Sequence, residues 1–371
     1  MRRSAHRILV SHAGTAPRPA DSFDLSAAVK EVVKKQADVG IDIVNDGELS
    51  KSNFTNYVRD RLGGIEQAVP GADLPPRNIS GRDLREFPDF FRSGGGGFGR
   101  NRPGAPPIVF PRPMVVTGPI TYVGKAIVQT DIDNFQQALQ GLDVEGFLPA
   151  VAPGTIEHWL YNQHYATDEE YLYALAEAMH AEYKAITDAG LKLQIDDPDL
   201  PDGWQMFPDM SVAEYRTYAS LRVDAINHAL RDIPQEQVRL HVCWGSGLGP
   251  HKNDIDLRDI IDVILRVNAS VYSIEAANPR HQHEWRVWQD VKLPQGKSFM
   301  PGVIGHATDI VEHPRMVADR LIQYAGLVGK ENVIAGTDCG VGSRVWNGEI
   351  AWAKFAAMAE GARIASRELW G

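Results

Sequence analysis

The amino-acid sequence predicts a single (β/α)₈ barrel, in which eight parallel strands form a closed sheet surrounded by helices. Short runs rich in Val and Ile alternate along the chain with longer segments of helical period, which is the pattern of a parallel sheet. Polar residues follow several of these runs, at the strand ends where such barrels carry their active sites. With 371 residues and a hydrophobic fraction of 43%, the chain is large enough for one such core.

Nine segments have strand character, one more than the barrel needs. Residues 114–117 are the predicted extra strand, outside the barrel, because they adjoin an irregular stretch of the chain. The nine segments are 8–13, 41–46, 114–117, 147–151, 192–196, 239–244, 271–275, 299–304 and 332–337.

Capping residues mark the helices between the strands. Thr167 and Glu170 have the spacing of a capping box, and they open a predicted helix at 168–188. A second helix with the same signal is predicted to run from Ser211 to about residue 231, and a third covers roughly 349–365.

Residues 63–113 differ from the rest of the chain, because they lack a clear period and are rich in proline and glycine. We predict that they form an insertion, partly disordered, within one domain that spans 1–371. The glycine- and proline-rich loop at 93–107 is a hypothetical lid over the active site. No internal repeat or change of composition marks a second domain.

The formal charge of −10 argues against general nucleic-acid binding, which usually relies on a basic patch, so small-molecule substrates are expected.

The sequence has no uninterrupted apolar run of about 18 residues, so no membrane span is expected. The apolar run near the N-terminus is too short for a signal peptide, which predicts a cytoplasmic location. The sequence leaves the oligomeric state open, a homo-oligomer included.

A metal site is predicted at the strand ends. His241 and Cys243 lie two residues apart on one strand, so their side chains face the same side, and Cys339 follows another strand. Zinc accepts Cys and His ligands in a tetrahedral arrangement, and three protein ligands with an open fourth position are typical of a catalytic site. Glu275 is a candidate fourth ligand or a group that orients the ligands. The alternative is that both cysteines are small buried hydrophobic residues.

An ordered series of strand-end motifs carries a family resemblance. The motifs are Ser11-His12-Ala13-Gly14-Thr15-Ala16-Pro17-Arg18-Pro19, Asn45-Asp46-Gly47-Glu48, Val151-Ala152-Pro153-Gly154-Thr155, Gln194-Ile195-Asp196-Asp197-Pro198, His241-Val242-Cys243, Ser273-Ile274-Glu275 and Thr337-Asp338-Cys339-Gly340. Together they resemble the catalytic barrel of cobalamin-independent methionine synthase and its shorter single-barrel relatives. The resemblance covers nearly the whole chain.

The resemblance implies a zinc-dependent thiol methyltransferase, in which Zn²⁺ keeps a bound thiol deprotonated at neutral pH. In the synthases the thiol is homocysteine and the methyl donor is a methyltetrahydrofolate. Full-length synthases have two barrels, so folate contacts from a second barrel cannot be assumed for this chain. Another methyl carrier is the alternative donor.

The resemblance also implies roles for carboxylates. Glu48 and Asp196 match the groups that hold the amino group of the thiol substrate, and Asp196 is also a predicted catalytic residue. Asp197 is a predicted substrate residue that departs from the Glu of the family motif. Alternatively, Glu48 and Asp196 cap neighbouring helices.

Three further residues are predicted at the mouth of the barrel. His306 is a candidate general acid for the leaving group, although the Tyr-Asp-x-His motif of the family is not in register there. His12 is a candidate substrate contact, and Trp244 offers a flat apolar face to an aromatic substrate. A buried structural role is the alternative for each.

Two other functions remain open. A thiol alkyltransferase or lyase of the epoxyalkane:coenzyme M transferase type is one, with Arg280 as a candidate contact for a sulfonate or carboxylate. A zinc-holding barrel that binds a metabolite without catalysis is the other.

Overall fold

The computed structural model describes residues 1–19, 24–75, 80–96, 112–342 and 344–371. The strands within these residues are β1 (Leu9–Val10), β2 (Ile43–Val44), β3 (Leu62–Gln67), β4 (Met114–Tyr122), β5 (Glu145–Val151), β6 (Leu160–Asn162), β7 (Lys192–Asp196), β8 (Val238–Val242), β9 (Val271–Ile274), β10 (Ser298–Ile304) and β11 (Ile334–Thr337).

Eight of these strands form one parallel sheet in the order β1-β11-β10-β9-β8-β7-β5-β2. The outer strands β1 and β2 approach each other, because the amide of Asp42 donates to the carbonyl of Val10 at 2.9 Å. The Ser11 hydroxyl donates to the carbonyl of Ile43, also at 2.9 Å. The sheet is therefore a nearly closed barrel.

Helices surround this barrel. They are α1 (Leu25–Asp38), α2 (Gly81–Glu86), α3 (Pro88–Arg92), α4 (Lys125–Leu139), α5 (Pro153–Trp159), α6 (Asp168–Asp188), α7 (Asp199–Met206), α8 (Val212–Ala229), α9 (Leu257–Ile264), α10 (Val287–Asp290), α11 (Pro314–Val328) and α12 (Gly348–Trp370). No helix of the described residues is long and apolar enough to span a membrane.

The predicted fold class is confirmed, since each of the eight predicted barrel segments overlaps one observed barrel strand. The second segment, predicted at 41–46, pairs only over Ile43–Val44. It is short because the chain turns at Asn45, whose side-chain oxygen accepts from the amide of Gly47 at 2.9 Å.

The predicted helix at 168–188 coincides with α6, and the Thr167 hydroxyl accepts from the amide of Glu170 at 3.1 Å. Helix α12 continues past the predicted end at 365. Its last turns are held in place because Ser366 accepts from the amide of Ile8 at 2.9 Å.

A small second sheet, with strand order β3-β4-β6, lies outside the barrel. It contains the predicted extra strand, which extends to Tyr122. Strand β3 was not predicted, because its two glycines hide any period. Gly64 has φ +82°, and a Cβ there would meet the carbonyl of Pro119 at 2.3 Å, so glycine is required.

The predicted insertion contains most of β3 together with α2 and α3. Residues 76–79 and 97–111 lie outside the described residues, and with them most of the predicted loop at 93–107. The insertion, its lid role and the single domain over 1–371 stay predictions.

The floor of the barrel is a layer of apolar side chains from six strands. These are Leu9, Ile43, Phe147, Val271, Met300 and Ile334, each no more than 8% exposed. A larger apolar core lies between the barrel and the helices. The barrel interior is therefore packed from below, and its polar groups lie above this layer.

A buried ion pair ties α12 to the segment after β10. The ammonium of Lys354, which is fully buried, donates to Glu312 Oε2 at 2.7 Å. The other oxygen, Oε1, accepts from the amide of Gly305 at 2.8 Å. The pair thus holds the chain next to a strand end of the barrel.

We expect Lys354→Met to lower the free energy of unfolding by about 3–5 kcal/mol, because it leaves the buried Glu312 carboxylate without its cation. Urea unfolding followed by circular dichroism measures this change. The double variant Lys354→Met, Glu312→Gln should be more stable than the single variant, since the amide oxygen still accepts from Gly305. A double variant that is no more stable would contradict this account.

Candidate metal centre and active site

The predicted metal ligands converge at the mouth of the barrel. His241 lies on β8, Cys243 follows that strand, and Cys339 follows β11. Their donor atoms all lie within 4.8 Å of one another, and the two sulfur atoms are 3.9 Å apart. Strands β8 and β11 are separated in the sheet by β9 and β10, so the curvature of the barrel brings these residues together at its mouth, although almost a hundred residues separate the cysteines in sequence.

The orientation of His241 suits a metal ligand. Its Nδ1 lies 3.0 Å from the hydroxyl oxygen of Ser273, which holds the ring. Its Nε2 is buried and finds no hydrogen-bond partner among the described residues. Metal-binding histidines typically have one nitrogen held by a neighbour in this way while the other faces the ion.

The two thiols form a hydrogen-bonded pair, in which Cys243 Sγ lies 3.9 Å from Cys339 Sγ. The neighbouring Cys243 thiol, together with His241 and against the effect of burial, lowers the pKa of Cys339 well below its ordinary value. The same contact, with burial, raises the pKa of Cys243. Two cysteine sulfurs and one imidazole nitrogen form a donor set that fits a borderline-soft divalent cation.

A cavity of about 590 Å³ opens directly above these donors. Its wall includes Glu48 and Asp196, two of the predicted substrate residues, beside His241, Cys243 and Cys339. A cavity of this size is large enough for a small-molecule ligand.

The two carboxylates in this wall differ in their partners. Glu48 Oε1 lies 3.2 Å from the ammonium of Lys51, which also donates to the carbonyl of Pro149. Asp196 Oδ1 instead accepts from the side-chain amide of Gln194 at 2.6 Å. Burial, and then the charge of Glu48, raises the pKa of Asp196 to about 7.

His12 lies away from the cavity that the prediction assigned to it. It is fully buried, and its Nε2 lies 2.7 Å from the Gln36 side-chain oxygen. The ring packs edge-on against Phe147 and Phe355. Its side chain therefore has no contact with the cavity, because it turns toward the helices that surround the barrel.

Asp197 and Trp244 also lie behind the cavity wall. Asp197 Oδ1 accepts from the hydroxyl of Thr155 at 3.0 Å. The indole nitrogen of Trp244 donates to the carbonyl of Ile255 at 2.8 Å. Neither side chain lines the cavity, so substrate contacts from these residues stay predictions without a geometric basis.

Glu275 and His306 form a second group with Asp338, in which the donor atoms lie within 4.8 Å of one another. Both oxygens of Glu275 already have partners, since Oε2 accepts from the amide of Trp244 at 2.8 Å and Oε1 from Asn278 at 2.5 Å. Glu275 thus lies beside the three candidate metal ligands, and its role as fourth ligand stays a prediction.

His306 is 3% exposed, and neither ring nitrogen has a hydrogen-bond partner among the described residues. Asp338 was not predicted as part of the site, although it directly precedes Cys339 in the Thr337-Asp338-Cys339-Gly340 motif. One of its oxygens accepts from the amides of Ala276 and Ala277. The other oxygen is buried and has no hydrogen-bond partner within the described part of the chain.

Three cationic residues of the cavity wall were not predicted as site residues, namely Arg18, Lys51 and Arg344. Lys51 had one available signal, because it follows Glu48 by three residues. The other two lie in loops, where no periodicity indicates which way a side chain points.

Behind the wall, the indole of Trp244 stacks on the ring of His281, with centroids 3.9 Å apart and planes inclined at 22°. The ring nitrogens of His281 lie 3.1 Å from Asp254 Oδ2 and 2.9 Å from Glu284 Oε2. This imidazole between two carboxylates supports Trp244, and so also the amide that holds Glu275.

We expect His281→Gln to weaken the dependence of stability on pH. Burial disfavours the charged ring, but the hydrogen bonds with Asp254 and Glu284 outweigh burial and raise the pKa of His281 to about 9. Because the folded-state pKa exceeds the unfolded value, this stabilisation is complete below about pH 6.5 and is lost as pH rises toward 9. Urea unfolding of the wild type should therefore show the steeper loss of stability across this range.

The control is His164→Gln, which replaces an exposed histidine and should leave the pH dependence unchanged. Equal slopes for the wild type and His281→Gln would show that the ring is not charged in the folded protein.

The fold and the site together define a (β/α)₈ barrel with a His/Cys/Cys donor set at its strand ends. Residues 109–363 match the family described as cobalamin-independent synthase, catalytic domain. The chain belongs to this family, and the resemblance noted in the sequence motifs is confirmed.

Several curated proteins are similar to this chain. The 5-methyltetrahydropteroyltriglutamate–homocysteine methyltransferase of Thermotoga petrophila is 24% identical, over 88% of this chain and 38% of that protein. The methionine synthase of Saccharolobus solfataricus is 24% identical, over 92% of this chain and 84% of that protein. The chain thus spans well under half of the first relative and most of the second.

Among solved structures, the B12-independent methionine synthase from Shewanella sp. W3-18-1 in complex with selenomethionine is similar. It has a TM-score of 0.70 and 20% identity, covering 98% of this chain and 99% of that one. This likeness supports the fold.

Proposed function

We propose that this chain is a zinc-dependent thiol methyltransferase that transfers a methyl group from 5-methyltetrahydrofolate or another methyl carrier to homocysteine or a related thiol. The observation that carries the proposal is the convergence of His241, Cys243 and Cys339 at the mouth of a cavity, in a chain of this family. The names of the relatives, homocysteine methyltransferase and methionine synthase, agree with it.

In this proposal His241, Cys243 and Cys339 hold the zinc ion, and Glu275 is the candidate for the fourth position. When bound there, zinc lowers the pKa of a coordinated thiol, so that a thiolate is available at neutral pH. Ser273 keeps the His241 ring turned so that Nε2 faces the other two donors.

Asp196 is the carboxylate best suited to the ammonium group of an amino-acid thiol. It lines the cavity beside His241, whereas the nearby Glu48 already pairs with Lys51. An ammonium bound between Asp196 and Glu48 would offset two buried carboxylates and orient the sulfur toward the metal donors.

The transfer forms a sulfur–carbon bond and breaks the bond between the methyl carbon and the donor nitrogen, which then takes up a proton. His306 is the candidate source of this proton, since its ring nitrogens have no other partner among the described residues. Its ring does not line the cavity, so this role requires the side chain to turn toward it. The lid role of the loop at 93–107 likewise stays a proposal.

We expect purified protein to contain about one zinc per chain and the double variant Cys243→Ser, Cys339→Ser to contain none, because the variant lacks two of three ligands. Elemental analysis measures the metal content. Circular dichroism of the variant provides the control for folding. Wild-type protein that contains no zinc and cannot be loaded with it would contradict the proposal.

We expect homocysteine to raise the thermal midpoint of the zinc-loaded protein, because a ligand that binds only the folded state stabilises it. 2-Mercaptoethanesulfonate is the matched comparison, since its protection would instead favour the alkyltransferase alternative. Arg280, its proposed sulfonate contact, lies outside this cavity with Nη2 4.0 Å from Asp256, so the geometry does not support that contact. Protection by neither thiol would favour a barrel without catalysis.

A further inference from the structure

A buried arginine lies beneath the cavity, between the apolar floor and the metal donors. Arg239 is fully buried on β8, and its guanidinium packs over the ring of Phe147 at 3.6 Å from the centroid. Its Nε donates to Gln194 at 2.6 Å, its Nη1 to the hydroxyl of Ser11 at 2.8 Å, and its Nη2 to the carbonyl of His12. All three nitrogens of the guanidinium thus donate to strand β7 or to the chain that follows β1.

This arrangement determines which way the side-chain amide of Gln194 points. A guanidinium can only donate hydrogen bonds, so the atom of Gln194 that meets Arg239 must be the oxygen. The NH₂ group of Gln194 therefore points the other way, where Nε2 donates to the carbonyl of Ala13 at 2.7 Å and to Asp196 Oδ1 at 2.6 Å.

The network ends at a residue of the cavity. Gln194 and Asp196 are two residues apart on β7, as Arg239 and His241 are on β8, and Asp196 lies directly opposite His241 in the register of the two strands. In each pair the first residue, Gln194 or Arg239, lies beneath the cavity, and the second, Asp196 or His241, lies in its wall. The carboxylate that faces the ligand is thus tied to the same frame as the histidine of the metal site.

Connecting the strands explains the contacts of Arg239 with Ser11 and His12, but it does not require the contact of Gln194 with Asp196. Burying an arginine is costly, and apolar residues of similar volume often serve a core equally well. Here every side chain of the network is polar, and Gln194 bonds to two residues that line the cavity, the Ala13 backbone carbonyl and the Asp196 carboxylate, of which only Asp196 offers a side-chain group that a ligand can meet.

We propose that Gln194, held in place by Arg239, is a positioning residue that orients the Asp196 carboxylate toward the ammonium group of the thiol substrate. This inference rests on the proposed function, because it assumes an amino-acid thiol as acceptor. It assigns specificity for the amino group to two residues that do not themselves contact the ligand.

The test compares homocysteine with 4-mercaptobutanoate, the same molecule without its amino group. Isothermal titration of the zinc-loaded wild type should give an affinity for homocysteine that is at least about tenfold higher than its affinity for 4-mercaptobutanoate. In Gln194→Met the affinity for homocysteine should fall about tenfold, the order of effect of one hydrogen bond to a charged group. The affinity for 4-mercaptobutanoate should stay within about twofold, because the thiol site is unchanged.

A second variant separates positioning from folding. Gln194→Glu keeps an acceptor for Arg239 but removes the donor to Asp196, so it should lose the preference for homocysteine even if Gln194→Met does not fold. Gln205→Met is the matched control, because this buried glutamine bonds to Asp254, Arg82 and Asp83 and does not line the cavity. It should keep the preference of the wild type.

The outcomes are distinct. If the Gln194 variants bind homocysteine and 4-mercaptobutanoate equally more weakly, the positioning role is overturned in favour of a structural one. A lost preference for homocysteine in Gln205→Met would have the same consequence. An unchanged preference in both Gln194 variants would overturn the inference and leave the proposed function intact. A wild type that does not prefer homocysteine would contradict the proposed acceptor, and the inference would fall with it.

Discussion

The mouth of this barrel depends on one buried cation, the guanidinium of Arg239. It donates hydrogen bonds to Ser11, His12 and Gln194, and the Ser11 hydroxyl in turn donates to the carbonyl of Ile43. One side chain of β8 is therefore bonded to β7 and to the chain that follows β1, and through Ser11 it is connected to β2 across the seam where the sheet closes. Burial lowers the pKa of Arg239 to about 9, which still leaves the group charged at neutral pH. A charge in such surroundings persists only when its donors are satisfied, so it imposes order on the groups around it.

Two layers of polar side chains lie above Arg239. The upper layer holds the His/Cys/Cys donors together with Asp196 and Glu48, and it faces the cavity. The layer behind it holds buried groups that orient the first, such as Ser273 beside His241 and the His281 ring beneath Trp244. Such supporting contacts set the direction of ligand atoms in metal sites.

Much of the fold could be predicted because it depends on local patterns. Alternating apolar runs and helical periods revealed the barrel, and the Thr167 cap marked the start of α6. Strand β3 could not be predicted, because its glycines carry no hydrophobic period and its place depends on pairing with β4. The positions of Glu275 and His12 could not be predicted either. A position at a strand end indicates which residues are near the mouth, but the direction of each side chain depends on partners such as Asn278 and Gln36.

The sequence alone determined the class of fold, the family and the three converging candidate metal ligands, because strand alternation and residue order are encoded locally. The tertiary structure decided that Glu48 faces the cavity paired with Lys51, whereas Asp196 faces it bonded to Gln194. It also grouped Glu275 with His306 and Asp338. It also revealed the line of contacts from Arg239 through Gln194 to Asp196. These features depend on side chains from strands far apart in sequence, whose distances and hydrogen bonds exist only once the barrel has closed.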